Sequence, residues 1–521
     1  MTLFYNAHLY TVDPLLPTAN AMVVEKDRIK AVGAYERLRE AYRPAKETDL
    51  EGKTVLPGFF DAHAHVWKIG DLLTYSLDLR SVRSMREIQQ RLEQFSETHT
   101  DLPWIRARGY NEALLEEGRL PNRHDIDEVI PDKPVFLQRT CAHIATVNTK
   151  ALEVCSLTVK SKVPFGGSID LGEDGMPNGI IRETALGLVT RHFPETGEKE
   201  YEEMILAACG QFIQYGITSV SDPAVMPDLL KVYLKMDKAG KLPVRIHAFP
   251  IVIPDGDEVA LPVPERYESE HLVIHTVKFF ADGGLSGKTA AISEPYKNTT
   301  SKGVLRLKKE TFLKAALQAQ RRGFQIATHA IGDRAIEMVL EVYRTLYKED
   351  KNAPGHRIEH LGLPTPAQLS QMNEMGIHAV TQPVFIKELG KNFRESLPER
   401  FLQGCYPFRS MLDHHINVAF SSDAPVVTDL NPLSGIQAAV NRKDAEDHSI
   451  APQEKISLQE ALYCYTRGSA IASRVARQQG SLSAGKKADF IVLSASPFKV
   501  RTEELHTIKV EQVWCNGVRR L

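Results

Sequence analysis

Short apolar runs that end in polar or small residues recur eight times along this chain, and amphipathic helical patterns lie between most of them. The segment KETFLKAALQAQRRG at 309–323, for example, has apolar residues at the three-to-four spacing of a helix. Strands that alternate with helices pair in parallel through βαβ units, and eight units predict an α/β fold with a (β/α)8, TIM-like barrel. The runs lie at 55–63, 216–222, 243–249, 275–283, 323–330, 356–362, 376–383 and 416–425.

The interval between the first two runs is far longer than one crossover connection, since it spans about 150 residues. It has its own helical pattern, SMREIQQRLEQFSE at 84–97, and strand-like patterns at 133–139 and 141–148. We therefore predict an inserted α/β subdomain at 81–199, over the mouth of the barrel.

Both ends of the chain alternate polar and apolar residues, as antiparallel strands with one solvated face do. The alternation occurs in LFYNAHLYTV and AMVVEKDRIKAVG near the start, and in KADFIVLSA and VEQVWCNGVRR near the end. We predict that residues 1–54 and 478–521 pack together as a small β-sandwich. Residues 55–80 and 200–477 then form the barrel.

The composition argues against several kinds of partner. A formal net charge of −2 over 521 residues gives no basic surface for nucleic acid. The sequence shows no signal-peptide pattern and no apolar run long enough to span a membrane. Its six cysteines are scattered and form no CxxC pair, which is typical of reduced thiols. We expect a cytoplasmic protein with a small-molecule substrate and no nucleic-acid or membrane partner; a homodimer is the default oligomer.

Residue types that bind metals follow several of the predicted strands. His63 and His65 end the first run, and alternate residues of a strand point to the same side. His329, His360 and Asp423 follow the fifth, sixth and eighth runs. The carboxyl ends of the strands meet at one mouth of such a barrel. Imidazole and carboxylate ligands suit Zn²⁺, with Mn²⁺, Fe²⁺ or Co²⁺ as substitutes, so the sequence predicts a metal centre there.

Lys278, in the fourth run, is an unusual member of this set, because an ammonium group repels metal cations. A lysine desolvated in a pocket can react as the free amine. With CO2 it would form a carbamate, whose carboxylate could bridge two metals. The alternative is that Lys278 binds substrate or pairs with Asp282.

These motifs together resemble those of the amidohydrolase superfamily. The matching features are HAH after the first strand, a lysine on the fourth, HAIGD on the fifth, RIEH on the sixth and SDAP on the eighth. VKFFADGGLSGKTA, THAIGDRA, RIEHLG, TQP and SSDAPV are similar to the YtcJ-type branch, which includes N-substituted formamide deformylases. DRIKAVG, GSLSAGKKADFIVL and VWCNGV resemble the superfamily's sandwich strands, so the resemblance covers the whole chain.

The resemblance implies a role for each of these side chains. His63, His65 and Asp423 would bind an inner metal, and His329 and His360 an outer one. Carboxylated Lys278 and a hydroxide would bridge the two ions. The metals would be two zinc ions per chain.

The same comparison implies substrate contacts, several of which have a structural alternative. Trp67 could form a pocket wall or pack beneath the inserted region. Arg182, in DGMPNGIIRE, could anchor a polar substrate or pair with a neighbour. His143 follows Cys141 and Ala142, where the branch has an acidic residue and glycine. The predicted contacts are Trp67, His143, Arg182, Asp282 and Gln382.

The implied function is metal-dependent hydrolysis of a C–N bond in an amide, an N-substituted formamide or a related compound. A metal-activated hydroxide would attack the carbonyl group, and Asp423 would carry the proton to the leaving nitrogen. Lys278 and His329 complete the predicted catalytic set. The alternatives are a mononuclear deaminase or deformylase with an unmodified Lys278, and a non-catalytic regulatory protein that retains the fold.

Overall fold

The computed structural model describes residues 1–164, 166–254, 259–353 and 355–521. The chain begins with β1 (Thr2–Tyr10), β2 (Thr18–Ala19), β3 (Ala21–Glu25), β4 (Arg28–Gly33), α1 (Tyr35–Tyr42), β5 (Lys46–Pro57), β6 (Phe59–Asp61) and α2 (Val66–Thr74). It continues with β7 (Leu77–Asp78), α3 (Met85–Thr98), β8 (Ile105–Tyr110), α4 (Arg123–Asp127), β9 (Val135–Arg139), β10 (Ile144–Val147), α5 (Thr149–Val154), β11 (Ser168–Leu171), β12 (Pro177–Arg182) and α6 (Gly187–Thr190).

The second half of the chain is mainly an alternation of helices and strands. It contains α7 (Glu198–Gln214), β13 (Ile217–Val225), α8 (Pro227–Lys238), β14 (Arg245–Pro250), β15 (Tyr267–Glu268), β16 (Leu272–Ile274), β17 (Thr276–Phe280), α9 (Lys309–Arg321), β18 (Gln325–Ala330), α10 (Asp333–Glu349), β19 (Arg357–His360), α11 (Pro366–Glu374) and β20 (His378–Thr381). It ends with α12 (Val384–Ser396), α13 (Glu399–Gln403), α14 (Phe408–Asp413), β21 (Val418–Phe420), α15 (Pro432–Asn441), α16 (Leu458–Tyr463), α17 (Ser469–Ala472), β22 (Phe490–Leu493), β23 (Val510–Cys515) and β24 (Val518–Arg519).

A parallel strand overlaps each of the eight apolar runs, in a TIM-like α/β arrangement. One sheet has the order β15-β16-β14-β13-β6 and the other the order β17-β18-β19-β20-β21. Backbone hydrogen bonds connect the two sheets at both sides, from Val252 N to Lys278 O and from Ala62 N to Phe420 O, each at 3.2 Å. Every residue of β18 is buried, as expected for a parallel strand covered on both faces.

The first of these strands is shorter than the sequence predicts. The apolar segment 55–57 belongs to β5, whose Pro57 pairs with Phe490 of β22. Only β6 pairs with β13. Gly58 separates the two strands, and a Cβ atom there would lie 2.3 Å from Thr218 Oγ1. The chain therefore passes from one sheet to another inside a continuous apolar run.

The strands from both ends of the chain form one eight-stranded sheet, in the order β24-β23-β22-β5-β1-β3-β4, with β2 paired to β1. Most neighbours are antiparallel, as the alternation predicts, but β1 and β5 are parallel because a helix-containing connection returns the chain in the same direction. The rings of Phe4, Phe490 and Trp514 pack together, with centroids 4.9–5.3 Å apart.

The segment between β6 and α7 has a separate six-stranded sheet, in the order β11-β12-β10-β9-β8-β7. Helix α3 begins at Ser84, whose side chain accepts a hydrogen bond from Glu87 N at 3.2 Å. Its Ile88 and Leu92 pack on the buried strand residues. Thr140 Oγ1 donates to Val426 O at 2.6 Å, which joins this segment to the loop after β21.

Among the described residues, no helix is both long enough and apolar enough to cross a bilayer.

Candidate functional site

Three buried side chains converge where β6 and β21 end. Nε2 of His63 and Nε2 of His65 each lie 3.4 Å from Oδ1 of Asp423. One ligand atom from each residue falls within 4.8 Å of the others. Two imidazoles and a carboxylate that point at one position form a donor set suited to a divalent transition metal.

The orientation of His63 is fixed by a buried charge pair on β19. Its Nδ1 is hydrogen-bonded to Glu359 Oε2. Arg357 Nη2 donates to the same oxygen at 2.9 Å and to Ala62 O at 2.7 Å. Because Nδ1 faces a carboxylate, it carries the proton and Nε2 keeps its lone pair for a metal.

A second buried carboxylate connects the two chain segments that hold these ligands. Asp61 Oδ1 accepts from His63 N at 3.1 Å, and Asp61 Oδ2 accepts from Ser422 Oγ at 2.6 Å. Asp423 N in turn donates to His63 O at 2.8 Å. The backbone positions of His63 and Asp423 are therefore set by each other.

His329 and His360 form a second pair beside the first, with ring centroids 4.4 Å apart. His329 Nε2 donates to Gly283 O at 3.1 Å, which leaves Nδ1 as the ligand atom. His360 Nδ1 donates to Gln382 Oε1 at 2.8 Å, which leaves Nε2. The centroid of the His360 ring is 4.9 Å from that of His63, so the two groups of ligands are adjacent.

Lys278 lies fully buried within this group. Its Nζ is 4.7 Å from the ring centroid of Phe280. Burial lowers the pKa of His63, His329 and His360 well below the ordinary value, and the Lys278 charge lowers it further. The imidazoles are therefore neutral at pH 7, the form that binds metals.

The Asp423 carboxylate lies among the imidazoles of the centre, and one of its oxygens, Oδ1, lacks a hydrogen-bond partner in the described part of the protein. Burial raises the pKa of Asp423 to about 7, against the opposing charge of Lys278. Among the described residues, Asp423 Oδ1 and His65 Nδ1 are buried without a hydrogen-bond partner. A buried oxygen that lacks a partner but faces two imidazole nitrogens fits a metal ligand.

These side chains face a cavity of about 460 Å³, a size typical of small-molecule sites. One wall is polar, and much of it comes from the segment between β6 and α7. Another part of the lining, the apolar wall, consists of aliphatic and aromatic side chains. The polar wall includes Lys68, Gln138, His143, Glu183 and Arg306, and the apolar wall includes Leu285, Ile331, Phe385, Leu389, Phe393 and Tyr406.

A family model for the amidohydrolase family matches residues 46–520. The chain belongs to the amidohydrolase family. The resemblance inferred from the strand-end motifs is thereby confirmed.

Relatives of this amidohydrolase span nearly its whole length. The putative amidohydrolase YtcJ of Bacillus subtilis (strain 168) is 29% identical, with 99% of this chain and 98% of YtcJ aligned. The N-substituted formamide deformylase of Arthrobacter pascens is 28% identical, with 99% and 97% aligned. The crystal structure of an uncharacterized metal-dependent hydrolase from Pyrococcus horikoshii OT3 has a TM-score of 0.78 and 28% identity, covering 96% of this chain and 99% of that one.

Two of the predicted substrate contacts line the cavity of this amidohydrolase. Trp67 lines the cavity and also packs against Tyr201 of α7, with ring centroids 6.0 Å apart. His143 lines the polar wall and is hydrogen-bonded through Nδ1 to Glu183.

The other three predicted contacts are not among the residues that line the cavity, and each binds protein groups. Arg182 forms a two-point ion pair with Asp170, at 2.7 and 3.0 Å. Asp282 accepts from the backbone N–H groups of Ile331, Gly332 and Ala291 and therefore anchors these loops. Gln382 holds His360 and donates to Ser421 Oγ at 2.9 Å.

Several residues that shape the site were not predicted from the sequence. Asp61, Ser422 and Glu359 stand next to the ligands within the motifs DAHAH, SSDAP and RIEH. Each is buried and hydrogen-bonded to a ligand residue or to its backbone neighbour. A buried acid adjacent to a metal ligand is the available signal, because it must have a partner in the fold. For Glu183, the only indication in the sequence was its position after Arg182 in the motif DGMPNGIIRE.

Proposed function

We propose that this protein is a hydrolase that cleaves the C–N bond of an amide or N-substituted formamide at a two-metal centre. The observation that supports this proposal most strongly is the convergence of four neutral imidazoles and one carboxylate on the wall of a single cavity, close to the fully buried Lys278. The fold does not need these residue types at the strand ends, where a TIM-like protein has its active site.

His63, His65 and Asp423 would hold one metal ion, and His329 and His360 the other. Divalent ions bound there supply Lewis acidity, which activates water and polarises a carbonyl oxygen. Zinc is the best match to an imidazole and carboxylate donor set. A carbamate on Lys278 would add the shared anionic ligand and remove a buried positive charge from the centre.

Side chains and backbone groups of the protein would accept the proton of the attacking water and orient the metal ligands. The carboxylate of Asp423 is placed to accept the proton of the attacking water. Glu359, Gln382 and Gly283 each accept a hydrogen bond from one ring nitrogen of a histidine ligand. This keeps the histidine in the tautomer whose other nitrogen has a lone pair for the metal. The buried position of the centre excludes bulk water from the reacting bond.

The cavity walls support an N-substituted substrate. The aromatic wall formed by Phe385, Phe393 and Tyr406 can pack on an apolar substituent, while the polar wall faces the reacting group. A relative named as an N-substituted formamide deformylase supports the same class. We infer that residues 81–199 form a subdomain that supplies Gln138, His143 and Glu183 to the polar wall, and that the eight-stranded sheet of the terminal strands forms a separate domain beside the barrel.

The test begins with metal content per chain and an intact mass, measured on protein purified without chelator and with bicarbonate present. Two metals, a carbamate on Lys278 in a crystal structure and turnover of N-alkyl or N-aryl formamides would support the proposal. One metal and an unmodified lysine would support the mononuclear alternative. No metal after reconstitution, or a full metal load without turnover of formamides, amides and carbamates, would refute it.

A further inference from the structure

His143 and Glu183 form a pair on the cavity wall that the hydrolytic centre described above does not use. Nδ1 of His143 lies 3.0 Å from Glu183 Oε2. Glu183 N also donates to His143 O at 2.8 Å, so the two residues are joined through side chains and backbone. The two chain segments meet because β10, which follows His143, pairs with β12, which precedes Glu183.

The two members of the pair have different access to the cavity. The Glu183 carboxyl is 8% exposed, whereas the imidazole of His143 is only partly buried. Burial acts to raise the pKa of Glu183, but His143 and Arg306 outweigh it and hold that pKa below the usual value. The carboxylate is therefore charged at neutral pH, and because it faces Nδ1 of His143 it favours the N–H tautomer at that nitrogen.

The backbone around this pair is strained. Glu183 has φ of 51° and Ala142, which precedes His143, has φ of 63°. Residues with side chains rarely adopt these values, and a strained backbone persists where the surrounding structure over-determines it, often at functional sites. The strain indicates that the fold holds this histidine and this carboxylate together at an energetic cost.

Two consecutive glycines lie close both to this pair and to one of the metal ligands. Gly283 O accepts from the ligand His329. The next residue, Gly284, lies against the other ring: a Cβ atom added there would be 3.9 Å from His143 Cδ2. His143 and His329 are thus on either side of two glycines, and both line the same cavity.

We propose that His143, oriented by Glu183, is the acid that protonates the leaving nitrogen of the substrate. As the C–N bond breaks, its electron pair stays on nitrogen, and the proton on His143 Nε2 moves to that nitrogen. The carbonyl carbon keeps the oxygen gained from water. The proton that Asp423 took from that water then passes through solvent to His143, so that both groups return to their starting forms and no net proton is gained or lost. The proposal rests on the hydrolase function proposed above.

This arrangement divides the proton transfers between two groups. Asp423 is buried among the metal-ligand residues, whereas His143 belongs to the part of the polar wall that the inserted segment supplies. An alkylamine is a poor leaving group unless it is protonated, so a dedicated acid is worth about 10²–10⁴ in rate. Glu183 acts through His143 and is a positioning residue.

The test compares two substrates that differ in the leaving amine. N-benzylformamide releases a basic amine that needs a proton, whereas 4-nitroformanilide releases a weakly basic one that leaves with less assistance. For zinc-loaded His143→Gln we expect kcat on N-benzylformamide to fall about 10²–10⁴-fold and kcat on 4-nitroformanilide to fall less than about 10-fold, with KM little changed. Glu183→Gln should show the same selectivity at smaller magnitude. Asp170→Asn, a matched change in the same subdomain beside Arg182, should leave both rates unchanged.

A second readout does not depend on turnover. In zinc-loaded protein with ¹⁵N-labelled histidine, the His143 Nδ1 signal should be that of a protonated nitrogen, and Glu183→Gln should weaken this tautomer preference. An unchanged tautomer in Glu183→Gln, or equal losses on both substrates in His143→Gln, would overturn the acid role while leaving the hydrolase function standing. Wild-type protein that cleaves neither these two formamides nor any member of the wider panel would overturn both.

Discussion

Ser422 donates its hydroxyl proton to Asp61 Oδ2 at 2.6 Å, and this contact joins the residue before Asp423 to the residue two before His63. The two residues are 361 positions apart in the sequence. Burial raises the pKa of Asp61 to about 6, while the hydrogen bonds from Ser422 and His63 N favour the charged form. Asp61 therefore holds together the two chain segments that carry His63 and Asp423, although its own carboxylate does not face the cavity.

Removing the contact between Asp61 and Ser422 should weaken metal binding without removing a ligand. For Asp61→Asn and for Ser422→Ala we expect metal affinity to fall about 10–100-fold, because outer partners orient the ligands. Competition with a chelator, followed by metal analysis, measures the effect. Asp228→Asn, an exposed change in α8, is the matched control. Affinity equal to wild type in both variants would contradict the role given to Asp61.

Glu359→Gln should destabilise the protein as a whole. Glu359 and Arg357 are both fully buried, and the variant leaves the arginine without its charged partner. We expect the free energy of unfolding to fall by about 3 kcal/mol, as for other broken buried pairs. Urea denaturation of metal-free protein measures it. Glu25→Gln, at an exposed pair with Lys30, should cost less than about 1 kcal/mol. Equal losses in the two variants would contradict the prediction.

The buried His356 should make the metal-free protein sensitive to acid. His356 Nδ1 accepts from Ile326 N at 3.2 Å, and Nε2 donates to Gln320 Oε1 at 2.8 Å, so the neutral ring is satisfied on both sides. Burial lowers the pKa of His356 to about 3. Below pH 6.5 the unfolded chain binds a proton that the folded chain does not, so stability should fall between pH 6.5 and 3.

The expected contribution of His356 is about 1.4 kcal/mol for each pH unit within that window. Urea midpoints measured from pH 7 to pH 4 report the slope. His356→Gln should be less stable at pH 7 and should show a shallower fall towards acid. If stability falls with pH at the same slope in the variant as in the wild type, the acid sensitivity comes from other groups and the prediction for His356 is wrong.

Two glycine substitutions should change stability in opposite directions. A Cβ atom at Gly70, in α2, would lie 1.9 Å from Met204 O of α7, so Gly70→Ala should cost about 1–3 kcal/mol. At Gly210, in the exposed face of α7, no described atom lies within 4 Å of the added Cβ, so Gly210→Ala should stabilise by about 0.5–1 kcal/mol. Thermal denaturation of both variants tests the packing of α2 on α7. Unchanged stability in Gly70→Ala would contradict this packing, and loss of stability in Gly210→Ala would contradict the open surroundings of Gly210.

The sequence was sufficient for the strands of the TIM-like fold, because each buried strand is a local apolar run with its own boundaries. The sequence did not predict that one apolar run would be divided between two sheets, because VLPGFF is apolar on both sides of Gly58. It also could not place Asp282. That carboxylate is polar and follows a strand, as ligands do, but its partners are backbone N–H groups of loops that only the fold brings near.

The sequence alone determined which residue types stand at the strand ends, and with them the amidohydrolase family, because these motifs are short and contiguous. The tertiary structure decided which nitrogen of each imidazole is left for a metal. That choice depends on partners distant in the chain, such as Glu359 for His63, 296 residues away. It likewise paired His143 with Glu183, since only the register of β10 and β12 brings an imidazole from one motif onto a carboxylate from another.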